Sequence, residues 1–341
     1  MQRPHTHTVV LLTFFLLITL ALSGCSSQDP ASLAGEEAFL TSINAVEPIE
    51  LPTGAKLNVV ASTNIIFDVL QNVGGESIQL EALIPRGADP HAYEPSPGDL
   101  RKLVQADLVF INGVGLEEPL YPTLSEIASD TLIVSLSEGL QLLSFSEQGS
   151  TVEETHSEDH HEHAGMDPHV WLDPIHVRTW VANAAAVLST ADPARADQYR
   201  QNASAFSQAL DGLNASIQET VSEIPVEKRK LVTDHRALGY FTARYDFELV
   251  ATVIPAYSTA AEPSARELAG LVETIIDESV QAIFVGSNVN TTLAERIAAD
   301  TGIQVVPLYI GTLGPLNGPA GSYMQMMKYN VDAIRSALAG K

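Results

Sequence analysis

Residues 193–224 read PARADQYRQNASAFSQALDGLNASIQETVSEI and carry apolar side chains at steps of three and four. This spacing is typical of one continuous amphipathic helix with a single apolar stripe. Asp192 is suited to cap such a helix, Pro193 to stand in its first turn, and Pro225 to end it. We therefore predict a linker helix over residues 192–225, with about 48 Å between its ends. The stripe comprises Tyr199, Ala203, Phe206, Leu210, Leu213, Ile217, Val221 and Ile224.

Short β-rich runs lie on both sides of this helix and alternate with helical stretches. Such alternation indicates βαβ units with parallel strands. We predict an α/β fold in which two βαβ sheet domains, residues 57–191 and 226–341, are joined by one long rigid helix. The runs are LNVVAS (57–62), SIQLEALI (77–84), DLVFING (107–113) and LIVSL (132–136) before the helix, and KLVTD (230–234), FELVATVI (247–254), QAIFVGS (281–287) and IQVVPLY (303–309) after it.

The arrangement of the helix and the two sheets bears on both assembly and ligand binding. A coiled-coil dimer could use the same apolar stripe, but a sheet domain on each side favours a strut packed across both domains of a monomer. Open α/β sheets bind their ligands at the carboxyl ends of the strands. We therefore predict a binding cleft between the two domains.

The start of the chain has the layout of an export signal. Its apolar run, Val9 to Leu22, is about 14 residues long, too short for a relaxed bilayer span. The following sequence, LSGC, resembles the bacterial lipobox, in which the cysteine is lipidated. We predict a signal peptide over residues 1–24, a lipid anchor at Cys25 and a tether over residues 25–56. The alternative is an ordinary signal peptide with an incidental cysteine.

The composition restricts the class of ligand and partner. The chain has 341 residues, 42 acidic against 18 basic, and a formal net charge of -24. This balance argues against nucleic acid and against direct binding to anionic lipid, because both require a basic surface. It fits a domain held off a membrane by an anchor, or a protein whose ligand is a cation. The single cysteine rules out an intramolecular disulfide.

Three histidines stand at strand ends or loop-to-helix junctions, where ligand groups tend to lie. His91 is in GADPHAYEPSP, a proline-rich loop after a strand, and His169 is in MDPHVWLDP, just before a helix. His235 follows the strand KLVTD directly, at the start of a helix predicted over residues 236–245. Each histidine alone could be structural. Their distribution over both predicted domains, with DPH present twice, predicts a transition-metal site.

Several long segments resemble the metal-binding subunits of bacterial ABC importers for zinc and manganese, a family that includes manganese-binding lipoprotein adhesins. The resemblance runs from about Leu57 to the C-terminus. It implies two sheet domains joined by a rigid helix, with the metal in the interdomain cleft. The segments are ALIPRGADPHAYEPSPGDLRKL, ADLVFINGVGLE, DPHVWLDP, TDHRALGYFTARY, AEPSARELAGL and YMQMMKYNVDAI.

The resemblance implies that His91 and His169 are metal ligands from the first domain and that His235 is a ligand from the second. Manganese-type members often have a glutamate at the position of His235. The family's fourth ligand is commonly an aspartate in the C-terminal loop, where this chain has Gly311. Gly286 likewise stands where a glutamate is common. Both differences remove acidic groups near the expected site.

These residues bear on which ion is bound. Manganese prefers oxygen ligands and is the most weakly bound divalent ion of its row. Zinc accepts imidazole nitrogens at about 2.0–2.1 Å and is satisfied by four ligands. Three histidines without an adjacent carboxylate therefore favour zinc, with water or a group from a loop in the fourth place. Copper and nickel bind nitrogen donors as well or better, so the residues leave both ions open.

Residues 147–167 combine histidines with many acidic residues and contain no Lys or Arg. Low hydrophobicity and high charge predict disorder, and His-rich tracts commonly bind metal. Zinc-type members of the family carry such a loop before the second ligand. We predict auxiliary, exchangeable metal ligands here, against the alternative of a solvated charged loop. These ligands would be His156, His160, His161 and His163. His176, on the helix after the second DPH, is predicted to be structural.

The leading hypothesis is an extracytoplasmic binding protein that captures Zn²⁺ and delivers it to the permease and ATPase of an ABC importer. It would be anchored to the outer face of the cytoplasmic membrane, at the cell surface or on the periplasmic side. A manganese-binding member of the family and a surface adhesin remain alternatives. A zinc hydrolase is a third, since three histidines and an open position suit hydrolysis. However, the metalloprotease motif H-E-x-x-H is absent, because the stretch that begins with His161 and Glu162 has Gly165 in place of the second histidine. We therefore predict that the protein is not an enzyme.

Overall fold

The computed structural model of the chain describes residues 35–144 and 165–339. Its first half contains four strands, β1 (Asn58–Ala61), β2 (Gln79–Ala82), β3 (Leu108–Ile111) and β4 (Leu132–Ser135). They form a parallel sheet in the order β2-β1-β3-β4. The central strand β3 is buried along its whole length, as is usual for a parallel sheet that is covered on both faces.

The second half repeats this topology. Its strands are β5 (Lys230–Thr233), β6 (Glu248–Thr252), β7 (Ala282–Gly286) and β8 (Gln304–Leu308). They form a second parallel sheet in the order β6-β5-β7-β8. Each β-rich run of the sequence contains one of these eight strands, so the prediction of an α/β fold with two parallel sheets is confirmed.

Helices connect the strands and cover the sheets. The first half has α1 (Asn64–Gly74), α2 (Pro97–Val104) and α3 (Tyr121–Ile127). Two long helices follow, α4 (Pro174–Ala191) and α5 (Ala196–Ser222). The second half has α6 (Gly239–Tyr245), α7 (Ala265–Asp277), α8 (Thr292–Thr301) and α9 (Tyr323–Leu338).

Helix α5 is the predicted linker helix, and its 27 residues extend about 40 Å. The predicted stripe is buried throughout, from Tyr199 to Ile224. Its start differs from the prediction, because residues Pro193–Arg195 form a 3-10 turn before the α-helix begins. Asp192 makes no side-chain cap to this turn. Its carboxylate instead accepts hydrogen bonds from Arg195 (2.6 Å) and from the Tyr199 hydroxyl (2.8 Å), since a guanidinium is a stronger donor than a backbone N–H.

The stripe of α5 packs across both halves of the molecule. Helix α5 contacts α1 and α4, and on its other side it contacts α9 near the end of the chain. The stripe belongs to one hydrophobic core that also contains Val59 of the first sheet and Phe284 of the second. The strut interpretation is therefore confirmed, and the apolar stripe serves an intramolecular core.

The loop that follows β8, residues 310–314, belongs to the second half but is bound by the first. The Trp171 indole N–H donates to the carbonyl of Ile310 at 2.8 Å. The Asn64 amide donates to the Thr312 hydroxyl at 2.9 Å. These hydrogen bonds join the two halves beside the carboxyl ends of the strands, where the predicted cleft lies.

The segment before β1 departs from the prediction of a tether. Residues 35–56 are attached to the first half at single points instead of standing away from it. Phe39 is 5% exposed and lies edge-on to Tyr121, with 5.2 Å between the ring centroids. The buried carboxylate of Glu36 accepts a 2.7 Å hydrogen bond from the Tyr121 hydroxyl. The periodicity of the sequence could not reveal this packing, because the segment is held by single anchoring residues and has no amphipathic face.

Some predictions fall on parts of the chain outside the described residues. These are the signal peptide and Cys25 with the tether as far as residue 34, and the histidines of the acidic segment, His156, His160, His161 and His163. Within residues 35–144 and 165–339, no helix combines the length and the apolar character that a membrane crossing requires.

Candidate metal centre

The three predicted histidines come together beside the carboxyl ends of the strands of the two sheets. His91 lies in a 3-10 turn, Pro90–Ala92, beyond the end of β2. His169 stands directly before another 3-10 turn that leads into α4. His235 follows the last residue of β5 after a single residue. The helix predicted to begin at residue 236 begins at Gly239, so His235 lies in a bend and not in a first helical turn.

The distances between these side chains suit a metal ion. The Nε2 atom of His169 is 3.1 Å from Nε2 of His91 and 3.2 Å from Nε2 of His235. The ligand atoms of all three lie within 4.8 Å of one another. Nitrogens bonded tetrahedrally to one zinc at about 2.0–2.1 Å would be about 3.3 Å apart. Spacing alone does not select zinc, because an octahedral ion with longer bonds places adjacent ligands at similar separations.

Burial and mutual proximity control the protonation of the three rings. His169 is 0% exposed and His235 is 3% exposed, whereas His91 is partly exposed. Burial and the neighbouring imidazoles lower the pKa of His91 well below its usual value, and burial with His235 does the same to the pKa of His169. Burial also disfavours the charged form of His235, but the carboxylates of Asp234, Asp89 and Asp167 together raise the pKa of His235 above its usual value. The rings of His91 and His169 are therefore neutral, whereas the ring of His235 retains its proton to a higher pH.

Two carboxylates fix the orientation of the buried rings. Asp167 Oδ1 lies 2.8 Å from Nδ1 of His169, and Asp234 Oδ1 lies 2.9 Å from Nδ1 of His235. Each carboxylate also accepts the backbone N–H of the same histidine, at 3.0 Å and 2.8 Å respectively. An Nδ1–H held by a carboxylate leaves the Nε2 lone pair free for a metal.

Neither Asp167 nor Asp234 was predicted from the sequence to support a histidine. A signal was available, because the DPH and DH motifs place an acidic residue one or two positions before each histidine. Both carboxylates are occupied by imidazole and backbone N–H groups. Neither is therefore free to act as the general base that a zinc hydrolase requires.

The two glycines that depart from the family pattern lie beside the histidines. Gly286 N–H donates to Asp234 Oδ2 at 2.8 Å, and a Cβ at position 286 would stand 3.2 Å from that oxygen. Gly311 packs against Pro90, where a Cβ would meet the proline ring at 3.2 Å. The glycine at 286 therefore lets the Asp234 carboxylate approach the backbone closely.

His176 lies apart from the three clustered histidines, on α4. Its ring packs edge-on to Tyr240, with 5.0 Å between the ring centroids. Its Nε2 is 3.9 Å from Asp173, whose carboxylate accepts a 2.8 Å hydrogen bond from Arg244. These contacts connect α4 to α6 and agree with the structural role expected of His176.

Comparison with known proteins places this arrangement in a family. The family model described as ZnuA, zinc-uptake complex component A, periplasmic, matches residues 59–337. The metal ABC transporter substrate-binding lipoprotein ScbA of Streptococcus cristatus is 30% identical over 329 residues, which cover 96% of this chain and 98% of ScbA. The manganese-binding lipoprotein MntA of Halalkalibacterium halodurans is 30% identical, with 95% of this chain and 96% of MntA covered.

The fold is also shared with solved structures. The periplasmic zinc-binding protein TroA from Treponema pallidum superposes with a TM-score of 0.73 at 29% identity, over 84% of this chain and all of TroA. A cadmium-bound periplasmic metal-binding protein from Candidatus Liberibacter asiaticus has the same fold, with a TM-score of 0.70 at 22% identity over 82% of this chain and 98% of that one. The chain therefore belongs to the zinc-uptake complex component A family, whose members are substrate-binding proteins of metal ABC transporters and not enzymes.

Proposed function

We propose that this protein captures Zn²⁺ between His91, His169 and His235 and delivers it to the permease of an ABC importer. The observation that carries the proposal is the convergence of three Nε2 atoms within 4.8 Å, from two halves of the molecule. Carboxylates hold two of the rings with Nε2 directed inward. The ion is the cargo of transport, so the site must release it as well as bind it.

The choice of zinc rests on the chemistry of the donors. All three clustered ligand atoms are imidazole nitrogens, which suit zinc and are poor ligands for manganese. The carboxylates nearest to the rings, Asp167 and Asp234, are engaged with Nδ1 atoms. Gly311 offers no side-chain oxygen at the position where the family resemblance implies an aspartate. A water molecule would complete the four ligands of zinc.

Manganese is the second candidate, because several relatives carry that metal in their names. They include MntA of Halalkalibacterium halodurans and PsaA of Streptococcus pneumoniae, the latter 31% identical over 84% of this chain and 91% of its own length. Identity near 30% leaves room for a changed ligand set. The donor atoms of this chain, and not its overall similarity, therefore decide our preference for zinc.

A competition titration tests the choice of ion. The mature protein, stripped of metal, is titrated with zinc and with manganese against a chelator of known affinity. We expect one zinc per chain and a clear preference for zinc over manganese, because manganese binds the same nitrogens more weakly. His235→Ala should lose most of the zinc affinity, whereas His176→Ala, a histidine outside the cluster, should retain it. Equal affinity for manganese and zinc in the wild-type chain would contradict the proposal.

A matched pair of substitutions tests the role of position 311. Gly311→Asp and Gly311→Ala introduce the same Cβ against Pro90, but only the aspartate adds an oxygen ligand. We expect Gly311→Asp to lower the ratio of zinc affinity to manganese affinity, and Gly311→Ala to leave this ratio unchanged. If both variants altered the preference equally, crowding at Pro90 would be the cause and the oxygen-ligand argument would fail.

Further parts of the proposal concern the chain outside the described residues. We propose that Cys25 is lipidated after removal of residues 1–24, which keeps a monomeric binding protein beside its permease and ATPase at the outer face of the membrane. Relatives named as lipoproteins support this placement. Labelling with a radioactive fatty acid should mark the wild-type chain and not Cys25→Ala. An unlabelled wild-type chain would contradict lipidation.

The acidic, His-rich segment is proposed to gather zinc for the cleft through exchangeable ligands. Deletion of residues 147–166 should lower zinc uptake at limiting zinc while the cleft site still binds one ion. A second variant replaces His156, His160, His161 and His163 by glutamine, keeps the length of the segment, and should lower uptake in the same way. If zinc uptake were unchanged in both variants, the segment would act only as a solvated spacer and this part of the proposal would be wrong.

A further inference from the structure

His91 is held differently from the other two histidines of the cluster. The Nδ1 atoms of His169 and His235 each face a carboxylate at 2.8–2.9 Å. Among residues 35–144 and 165–339, the ring of His91 makes one hydrogen-bond contact, between its Nε2 and that of His169. His91 is also the partly exposed member of the cluster. It is therefore the ligand whose ring is least restrained.

The position of His91 is fixed through its backbone. Its N–H donates to Oδ1 of Asp89 at 3.0 Å, and this aspartate caps the short turn that carries the histidine. A turn of three residues offers few other restraints on the ring. Displacement of the Asp89 side chain would therefore loosen the turn and, with it, the placement of His91.

The second oxygen of the Asp89 carboxylate, Oδ2, accepts a hydrogen bond from the second half of the molecule. The Thr259 hydroxyl, in the segment between β6 and α7, donates to Asp89 Oδ2 at 2.5 Å. The Asn288 amide, after β7, also reaches the carbonyl of Ala88 at 3.5 Å. The turn of His91 is thus attached to the opposite half, and the short Thr259–Asp89 bond to a carboxylate is the stronger of the two attachments.

We propose that Thr259 is a positioning residue of the metal site, acting through Asp89 to hold His91 on the metal. Loss of the Thr259–Asp89 hydrogen bond frees the turn of His91, which becomes the first ligand to leave. His169 and His235, each backed by its own half's aspartate, retain the ion until it is transferred. This inference rests on the proposed function, since it concerns release from the same three histidines.

The proposal predicts an effect on the release of the ion. A hydrogen bond to a charged acceptor contributes enough that its loss changes an equilibrium or a rate by about tenfold or more. Most changes in affinity among variants of one site occur in the dissociation rate. Loss of the Thr259 hydroxyl should therefore speed zinc release about tenfold and leave zinc capture nearly unchanged.

The test is a stopped-flow measurement of zinc release from the full mature chain into an excess of chelator. Thr259→Val keeps the shape of the side chain and removes the hydroxyl, and Thr259→Ala serves as a second variant. Both should release zinc about tenfold faster than wild type. Thr259→Ser, which retains the hydroxyl, should release it at the wild-type rate. Thr274→Val, on α7 away from the turn, is the matched control and should also match wild type.

A double variant separates positioning from a general effect on the fold. In an Asp89→Ala background, which already releases zinc faster, Thr259→Val should add no further acceleration. An additive effect would overturn the proposal, because Thr259 would then act by another route. Wild-type release by Thr259→Val, or fast release by Thr259→Ser, would also overturn it. A wild-type chain that bound no zinc would instead overturn the proposed function itself.

Discussion

At the scale of single residues, the candidate site is three imidazoles and the carboxylates that orient two of them. The Asp234 carboxylate contacts Nδ1 of His235 and so orients the ring, and it also raises the pKa of this imidazole. Asp234 is itself held by the backbone N–H of Gly286. The orientation of His169 and His235 therefore depends on groups that hydrogen-bond Nδ1 and not on the proposed ion.

Asp234→Asn should weaken zinc binding about tenfold to a hundredfold, the usual cost of losing a carboxylate behind a ligating histidine. The amide is a poorer acceptor for Nδ1–H and contributes no charge to the site. Competition with a chelator measures the change. Asp197→Asn, at an exposed aspartate paired with Arg200, is the control and should bind as wild type does. Equal affinities for the two variants would show that Asp234 does not support the ligand.

Zinc affinity should fall as the pH is lowered from above 7 toward 6. The pKa of His235 is raised, so its ring holds a proton in the metal-free protein up to a higher pH than a free imidazole. Zinc must displace that proton. The pKa values of His91 and His169 are lowered, so these rings are already neutral and release none. Titration calorimetry near pH 6.5, in buffers of different ionisation enthalpy, should report proton release from His235 alone, fewer than the three protons that three charged imidazoles would release. Release of three protons would contradict these assignments.

The sequence predicted the three histidines but not the groups around them. His91, His169 and His235 could be placed because each stands at a strand end or a loop-to-helix junction of an α/β pattern, and the family resemblance implied the same three residues. Asp167 and Asp234 were missed, since an aspartate in a DPH or DH motif could equally cap the following turn. Thr259 could not be predicted at all, because its contact with Asp89 joins two parts of the chain far apart in sequence.

At the scale of elements, the long helix α5 and the eight strands follow directly from periodicity. The boundaries were less predictable. Helix α6 begins at Gly239 and not at residue 236, because backbone hydrogen bonds place His235 and its successors in a bend. Residues 35–56 are held against the first half by isolated anchors such as Phe39, which leave no periodic signal. Periodicity thus reports continuous faces and overlooks single contacts.

Leu210→Ala should lower the free energy of unfolding by about 2–5 kcal/mol, because Leu210 is fully buried in the stripe that α5 presents to the shared core. Gln208→Ala, at an exposed position of the same helix, is the control and should change stability little. Urea denaturation of the metal-free protein measures both. Similar values for the two variants would contradict the strut packing of α5.

At the scale of the whole molecule, two parallel sheets share a core through α5 and meet again at the candidate metal site. The proposed ligands come from both halves, with His91 and His169 before α5 and His235 after it. The same two halves are attached by the loop at residues 310–314. Zinc bound by all three histidines, as proposed, would add a further link between halves that are already connected, and its binding free energy would stabilise the folded state.

Saturating zinc should stabilise the folded protein, since an ion that binds only the folded state adds about 2.7 kcal/mol at a free concentration one hundred times Kd. Thermal unfolding of the wild-type chain at neutral pH should shift to higher temperature with zinc. His235→Ala should show a much smaller shift, and His176→Ala the full shift. Unchanged melting of the wild-type chain with zinc would speak against binding between the halves.

X-ray absorption at the zinc edge tests the central claim most directly, because it reads the donors around the ion. The sample is the mature protein loaded with one equivalent of zinc. Our account predicts three imidazoles at about 2.0–2.1 Å and a fourth light ligand, with one imidazole fewer in His91→Ala. A shell dominated by carboxylate oxygens, or an unchanged imidazole count in His91→Ala, would contradict the account.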